Sequence, residues 1–471
     1  MGPSTDTQEA VDLLVKAGVN VVRMNFSHDT PEKHIRRAEM VRTVAKKYGR
    51  TVAILGDLQG PKIRINGFKN DKIFLNIGDH FILDAGLDDD AGDQERVGIA
   101  YKTLPQEVSK GDELWLDDGR IVLIVEKTVG SEVHCTVAHG GWLSNKKGIN
   151  RRGGGLSAEA LTEKDKEDIK LAAEMDVDFL AVSFPRNADD MRYARQLMEE
   201  AGGDAALVAK VERAEAVEPE NLIGIIAESE VIMIARGDLG VEVGDARLPQ
   251  LQKDMIKLAR DMDTVVITAT QMMETMVDNP IPTRAEVFDV ANAVMDGTDA
   301  VMLSGETAAG KHPAKVIEVM AEICEEAEHS RVATRSHHRM DVEFQRRDEG
   351  IAMASMYVAN HMNVRSIAAL TETGSTALWM SRISSGIGIH ALTRSEKTCR
   401  RVALYRGVCP VLLDDFPKNP KEANRIAVDH MLAKKMVDNG DLVIVTKGDS
   451  MGDKGGTNQM KIIRVGEHQN G

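Results

Sequence analysis

Apolar and polar positions alternate between two rhythms along this chain. Short runs that are apolar almost throughout recur at Val19–Met24, Thr51–Leu55, Val177–Ser183, Ala206–Glu212, Val231–Ala235, Val265–Thr270 and Ala300–Ser304. Such runs predict strands buried on both faces. Between them the apolar residues fall at helical spacing. Val11, Leu14 and Val15 form one stripe, closed by Gly18, and a basic helix is expected at Pro31–Lys47. Thr162 with Asp165 reads as a variant capping box for a helix running to Met175. Strand and helix in alternation imply a parallel sheet. A polar residue follows each apolar run: Asn25, Asp57, Ser183, Glu212, Asp238, Thr270, Ser304. Functional groups at the carboxyl ends of many strands mark a (β/α)8 TIM barrel. The missing strand of the eight belongs before Gly2.

From about Gly67 to Gly155 the rhythm changes to short alternating runs, such as Lys72–Ile77, Glu113–Leu116, Ile121–Glu126 and Glu132–Ala138, cut by Gly and Asp turns. This predicts a small antiparallel β unit inserted into the barrel. Its end, Gly140–Asn150, is glycine-rich and basic. A polar, histidine-rich break near His329–Arg347 precedes a separate α/β unit. Its strands are expected at Ser366–Leu370, Gly388–Leu392, Val408–Leu413, Leu442–Thr446 and Lys461–Val465, with helices near Glu349–His361 and Pro420–Val437. The division expected is therefore 1–66 and 156–335 for the barrel, 67–155 for the insertion and 336–471 for the last unit.

Composition narrows the function classes. The 471 residues exceed what one core supports. A net charge of −15 and 4% aromatics argue against nucleic acid or an anionic membrane as partner. Four cysteines without a C-x-x-C pair suggest a reducing cytoplasm and no structural zinc. No run is long and apolar enough to span a bilayer, and no signal-peptide core opens the chain.

The densest chemistry lies on two consecutive strands. Lys210 and Glu212 are two apart, so they point the same way at the end of an apolar run, and Asp238 follows the next strand. Two carboxylates and a lysine make an oxygen site for a hard cation such as Mg²⁺, with a fixed positive charge beside it. A surface salt bridge is the plainer reading of Lys210 and Glu212 alone; their pairing with Asp238 disfavours it. Two decoys fall away. Gly305–Lys311 fits most of a Walker A loop, but His312 and Pro313 stand where its hydroxyl residue belongs. His312, His337 and His338 read as solvent-facing, and Met272, Met273 and Met276 as packing.

In joint order, several motifs resemble the pyruvate kinase family over essentially the whole chain. They are Gly2-Pro-Ser-Thr-Asp6, Asn20-Val-Val-Arg23-Met-Asn25-Phe-Ser27-His28, Gly60-Pro-Lys-Ile-Arg64, Lys146-Lys-Gly-Ile-Asn150, Lys210-Val-Glu212, Ala235-Arg-Gly-Asp-Leu-Gly240, Thr268-Ala-Thr-Gln-Met272, Pro282-Thr-Arg-Ala-Glu286 and Met302-Leu-Ser-Gly-Glu-Thr307. The resemblance implies a barrel, an inserted β-barrel lid and a C-terminal regulatory domain. It also implies a cytoplasmic homotetramer that moves the phosphoryl group of phosphoenolpyruvate to ADP, giving pyruvate and ATP. The family has a strand before the Gly-Pro turn; this chain starts inside that turn, which reads as a truncated or misassigned start.

By the same resemblance Glu212 and Asp238 hold Mg²⁺, with Mn²⁺ an alternative. Lys210 neutralises the transferring phosphoryl. Gly237, Asp238 and Thr270 take the substrate carboxylate, and Arg23 the phosphate. Thr270, extended by Ser304 and Glu306, serves the protonation of carbon. Arg64, with Asp118 and Lys147 from the lid, meets the nucleotide. Asn25, Ser27, Asp57 and the Leu58 carbonyl correspond to the family's K⁺ ligands. Leu58, Gln59 and Lys62, however, replace the threonine, lysine and acidic residue of the K⁺-requiring pattern, so no K⁺ requirement is expected and Lys62 is expected to supply the charge. Thr371, Thr373, Gly374, Ser375 and Thr376 precede a helix and form a phosphate cradle. This loop has no Lys or Arg for a bisphosphate, so a sugar monophosphate or AMP is expected there, with Lys447–Thr457 folding over it. Two other readings are an Mg²⁺-dependent carbon–carbon lyase of the phosphoenolpyruvate/pyruvate barrels and a non-enzymatic sugar-phosphate sensor.

Overall fold

The structure, a computed structural model, describes residues 1–117, 119–330, 334, 343–413, 420–449 and 455–467. The seven apolar runs form one curled parallel sheet in chain order: Val21–Asn25, Ala53–Asp57, Phe179–Val182, Ala206–Val211, Val231–Ala235, Val265–Ala269 and Ala300–Met302. Its two faces divide by residue parity. Ala53, Leu55, Phe179, Ala181, Val208, Met233 and Ile267 line the inside. Ile54, Leu180, Leu207, Ile232 and Val266 point outward, against helix residues such as Val11, Val41, Ile169 and Ile256. Among the described residues the sheet has seven strands, and its two edge strands are not paired with each other.

The local signals hold where they are strongest. Gly18 caps the first helix with φ +104°, and the N–H of Val19 bonds Leu14 O within that cap, so the strand starts at Val21 rather than Val19. Thr162 and Asp165 exchange both bonds of the capping box. Met272, Met273 and Met276 are fully buried in one apolar cluster. His337 and His338 lie outside the described residues.

Between the second and third strands the chain builds a six-stranded sheet and a two-stranded ribbon around a separate apolar core. Ile63, Ile65 and Ala158, from the connecting segments, belong to that core. The stretch 140–150, expected only as a basic glycine-rich end, contains the strands Gly141–Ser144 and Ile149–Arg151. The last unit has a five-stranded sheet ordered Val408–Leu412, Gly388–Thr393, Ser366–Leu370, Leu442–Gly448 and Thr457–Arg464, the final pair antiparallel. Among the described residues no helix is long and apolar enough to cross a membrane.

This last unit docks on the amino-terminal ends of the barrel strands. Leu404 joins the barrel's inner core, with Tyr405 and Leu378 beside it. Around them, arginines meet carboxylates that stand just before strands. Arg382 and Asp299, both fully buried, form an ion pair, and Arg382 also donates to Thr264 O at 3.0 Å. Arg400 donates to the buried Asp178 at 2.6 Å, and Lys397 to Asp176 at 2.9 Å.

Candidate active site

Parity carries Arg23, Asp57, Ser183 and Lys210 inward at the carboxyl ends of their strands. The Lys210 ammonium donates to Ser183 Oγ at 2.7 Å and lies 3.1 Å from Glu212 Oε1 and 3.3 Å from Asp57 Oδ1. Arg23 Nε donates to Asp57 Oδ2 at 2.5 Å. Burial alone would lower the Lys210 pKa, but Asp57 and Glu212 outweigh it and hold the ammonium protonated. Burial likewise opposes ionisation of Asp57, yet Arg23 and Lys210 keep its carboxyl below the usual range. Ser183 was read only as a polar strand end. Here its hydroxyl donates to Leu58 O at 2.7 Å, so it links Lys210 to the neighbouring loop.

Glu212 is in a different state. Burial, reinforced by repulsion from Asp238 and Asp57 and opposed by Lys210, pushes its carboxyl up to about 7. Its Oε2 accepts the Phe184 N–H at 3.0 Å. Asp238 sits in the first turn of the helix Arg236–Val243, directly after the neighbouring strand. Among the described residues no three His, Cys, Asp or Glu side chains gather into a metal cage. Two carboxylates suit Mg²⁺, which keeps waters and takes substrate oxygens for the rest of its shell. A divalent charge beside Glu212 would offset the burial that chiefly raises its pKa and the repulsion that adds to it, so the donor set fits the metal.

Thr270 Oγ1 accepts the Gly237 N–H at 2.9 Å and donates to Ala269 O at 2.7 Å. Glu306 is buried, and both carboxylate oxygens accept backbone N–H groups, from Ser304 at 2.6 Å and Met273 at 3.3 Å. It therefore ties the ends of the last two strands together. Arg236, absent from the expected site residues, reaches Thr270 and Gln271 through their carbonyls.

Of the residues matched to cation ligands, Asn25 Oδ1 accepts the Ser27 N–H at 3.1 Å, while Asp57 and the Leu58 carbonyl are engaged as described. The Lys62 ammonium lies 3.3 Å from Asp238 Oδ1, whereas the ion pairs of Asp57 are with Arg23 and Lys210. Lys62 thus stands by the Asp238 carboxylate, one side of a concave space also bounded by Ile63, Asn150, Phe184, Arg213 and Glu242. Arg64, just before the inserted unit, donates to Lys146 O of that unit at 2.9 Å, and within the unit Lys147 pairs with Asp117 at 2.7 Å. Asp118 lies outside the described residues.

In the last unit, Gly374 has φ +87° and its N–H bonds Thr371 Oγ1 at 2.9 Å. Thr373 Oγ1 and Ser375 Oγ share a 2.7 Å bond. Thr376 is buried, its hydroxyl 2.8 Å from that of Thr457. Glu372 is 3.4 Å from Arg394, a cation supplied from outside the loop. Of the segment expected to fold over this loop, 450–454 lie outside the described residues.

Comparison with known proteins adds to this geometry. The family model described as pyruvate kinase, barrel domain, matches residues 1–317, and that for the pyruvate kinase alpha/beta domain matches residues 349–463. The chain is 56% identical to pyruvate kinase II of Salmonella typhimurium over 99% of its own length and 97% of the relative's. It is 57% identical to the pyruvate kinase of Haemophilus influenzae, over 95% and 94% of the two chains. It is 54% identical to that of Buchnera aphidicola subsp. Schizaphis graminum, over 99% and 97%.

Proposed function

The chain belongs to the pyruvate kinase family, and from that premise we propose how its own residues carry the transfer of the phosphoryl group of phosphoenolpyruvate to ADP, giving pyruvate and ATP. The family's reaction, its use of Mg²⁺ and its two substrates leave no support for the lyase reading. The observation that carries the proposal is the Lys210 ammonium, fixed by Ser183, Asp57 and Glu212 within 2.7–3.3 Å.

Phosphoryl transfer depends on positioning and charge neutralisation. Arg23, oriented through Nε by Asp57, takes the substrate phosphate with its terminal nitrogens. Lys210 neutralises charge that grows on the phosphoryl and on the enolate oxygen, and its three fixed acceptors keep it from reorganising as that charge moves. Glu212 and Asp238 would hold Mg²⁺, which when bound supplies Lewis-acid neutralisation. The N–H groups of Gly237 and Asp238 and the Thr270 hydroxyl hold the substrate carboxylate. Thr270 delivers a proton through water to the carbon of the enolate, and Ser304 and Glu306 extend that relay while Glu306 also positions the loop. The inserted unit, residues 67–155 in the division we favour, is a lid. Arg64, Asp118 and Lys147 meet the nucleotide when it closes over the barrel of 1–66 and 156–335.

Charge balance also supports K⁺ independence. The Asn25, Ser27, Asp57 and Leu58 oxygens are where a K⁺ would sit. Arg23 and Lys210 already neutralise Asp57, and Lys62 adds a fixed positive charge. The cradle at Thr371, Thr373, Gly374, Ser375 and Thr376, in the unit 336–471, binds a sugar monophosphate or AMP and acts in a cytoplasmic homotetramer. One assay tests both: ATP formation in tetramethylammonium buffer, with K⁺ titrated in and effectors added next. Substantial turnover without K⁺, and activation by glucose 6-phosphate or AMP, are expected; Lys62→Glu should create a K⁺ requirement. Large K⁺ activation of the unmodified enzyme would refute the first claim. Fructose 1,6-bisphosphate as much the better activator, or no response to any of them, would refute the second.

A further inference from the structure

Two consecutive non-glycine residues, Thr270 with φ +67° and Gln271 with φ +54°, adopt left-handed backbone at the end of the strand Val265–Ala269. For a β-branched residue this is an outlier, and such conformations persist only where the surroundings over-determine them. Both carbonyls of this pair are held by one side chain, that of Arg236. The Arg236 guanidinium is nearly buried. It donates to Thr270 O from Nε at 3.2 Å and from Nη2 at 2.7 Å, and to Gln271 O from Nη2 at 3.2 Å. Its other edge is anchored by Asp289 at 2.7 Å and Gln252 at 3.5 Å, on two different helices. The planar fork is thus used on both sides, and lysine cannot copy that geometry.

The position of Arg236 in the chain adds a second link. It directly precedes Gly237, whose N–H bonds Thr270 Oγ1, and Asp238. One residue therefore sets the backbone of Thr270 through its side chain and begins the turn that presents Gly237 and Asp238. We infer that Arg236 is a positioning residue that holds the Thr270 hydroxyl in place for proton delivery to carbon and registers it against the Gly237–Asp238 turn. This rests on the role proposed above for Thr270. Arg236 is placed to act through Thr270 rather than on a reacting atom: it fixes a strained backbone that would otherwise relax and misplace the hydroxyl.

The test separates proton transfer from binding. Exchange of the pyruvate methyl protons with solvent deuterium, followed by NMR with Mg²⁺ and ATP present, breaks a C–H bond to give the enolate and returns a deuteron to the same carbon. Arg236→Lys should lower both this exchange and kcat about 100-fold, the scale of a displaced catalytic group, with KM for ADP unchanged. In the Thr270→Ala background, Arg236→Lys should cause no further loss of exchange. If Arg236→Lys does not fold, Asp289→Asn frees the far edge of the fork and should lower exchange in the same direction by a smaller factor. Normal exchange in the folded variant, or additive losses in the double variant, would overturn the positioning role. Normal exchange in Thr270→Ala alone would overturn the reading of Thr270 and this inference with it; loss there with normal exchange in Arg236→Lys would overturn only the inference.

Discussion

The two ends of the same parallel sheet carry similar charges and treat them in opposite ways. At the amino-terminal end, Arg382 and Asp299 are both inaccessible, and the Asp299 carboxylate also accepts the N–H groups of Val266 and Arg406. Asp178 there is held by Arg400 and by the Ile54 N–H. Every partner is protein, and the lining comes from a second folded unit. At the carboxyl end, Glu212 stays buried with its carboxyl pushed up to about 7, and Asp238 pairs with the partly exposed Lys62. The ion pairs here are drawn from the strand ends of the barrel itself and from Lys62, and several stay partly exposed. The contrast follows the rule for such barrels, with chemistry at the carboxyl face and stability at the amino face. It also shows that an ion pair alone does not mark a site. At the carboxyl end the distinguishing feature is a buried carboxyl whose pKa is pushed up to about 7 beside a lysine held protonated.

Breaking the closed end should give the largest change in stability. Arg382→Met leaves the Asp299 carboxylate buried without its cation, which costs about 3–5 kcal/mol when one partner of a buried pair is removed. The expected outcome is a marked drop in the melting temperature, with kcat at saturating substrate unchanged. A lost kcat at unchanged melting temperature would mean that this end is catalytic as well.

Glu242 sharpens the comparison at the border of the open end. Burial, with the negative charge of Glu215 beside it, pushes its carboxyl up to about 7 against the Ala214 N–H bond. Because the folded pKa is above the unfolded one, ionisation is disfavoured in the native state. Its contribution to stability is present below the ordinary carboxylate pKa and declines as pH rises to about 7. Glu242→Gln removes that titration, so the variant should lose less stability than the parent between pH 5 and pH 8, by up to about 3 kcal/mol. Urea unfolding at the two pH values reads this out, and equal pH slopes would contradict it.

How much of this was legible in the sequence follows from the range of each interaction. The seven strands, and Lys210 with Glu212, depend on a period of two and could be read locally. Asn25, Asp57 and Ser183 stood out as polar strand ends, but not the bond from Ser183 to Leu58 O, which joins residues 125 apart. Lys62 was expected beside the oxygens around Asp57; its ammonium reaches Asp238, 176 residues away, because the turn after Gly60 carries it under the inserted unit. Nothing local announces Arg236 as a clamp, since the strain it supports at Thr270 exists only once two strands are neighbours. The docking of Arg382 on Asp299 is equally invisible, because neither residue belongs to a motif. The Glu372 charge, counted against a bisphosphate, is partnered by Arg394, which follows the same end of the neighbouring parallel strand.

The claim that charge at the open end serves chemistry rather than cohesion is tested most directly by Lys210→Met. Asp57 keeps Arg23, so its buried carboxylate is not left without a cation, and the fold loses little. Substrate binding, melting temperature and kcat are measured on the same preparation. The account predicts retained phosphoenolpyruvate binding, a near-parental melting temperature and a kcat lower by about 10²–10³-fold, the scale of removing one preorganised charge. A near-normal kcat, or a variant that melts early like Arg382→Met, would contradict it.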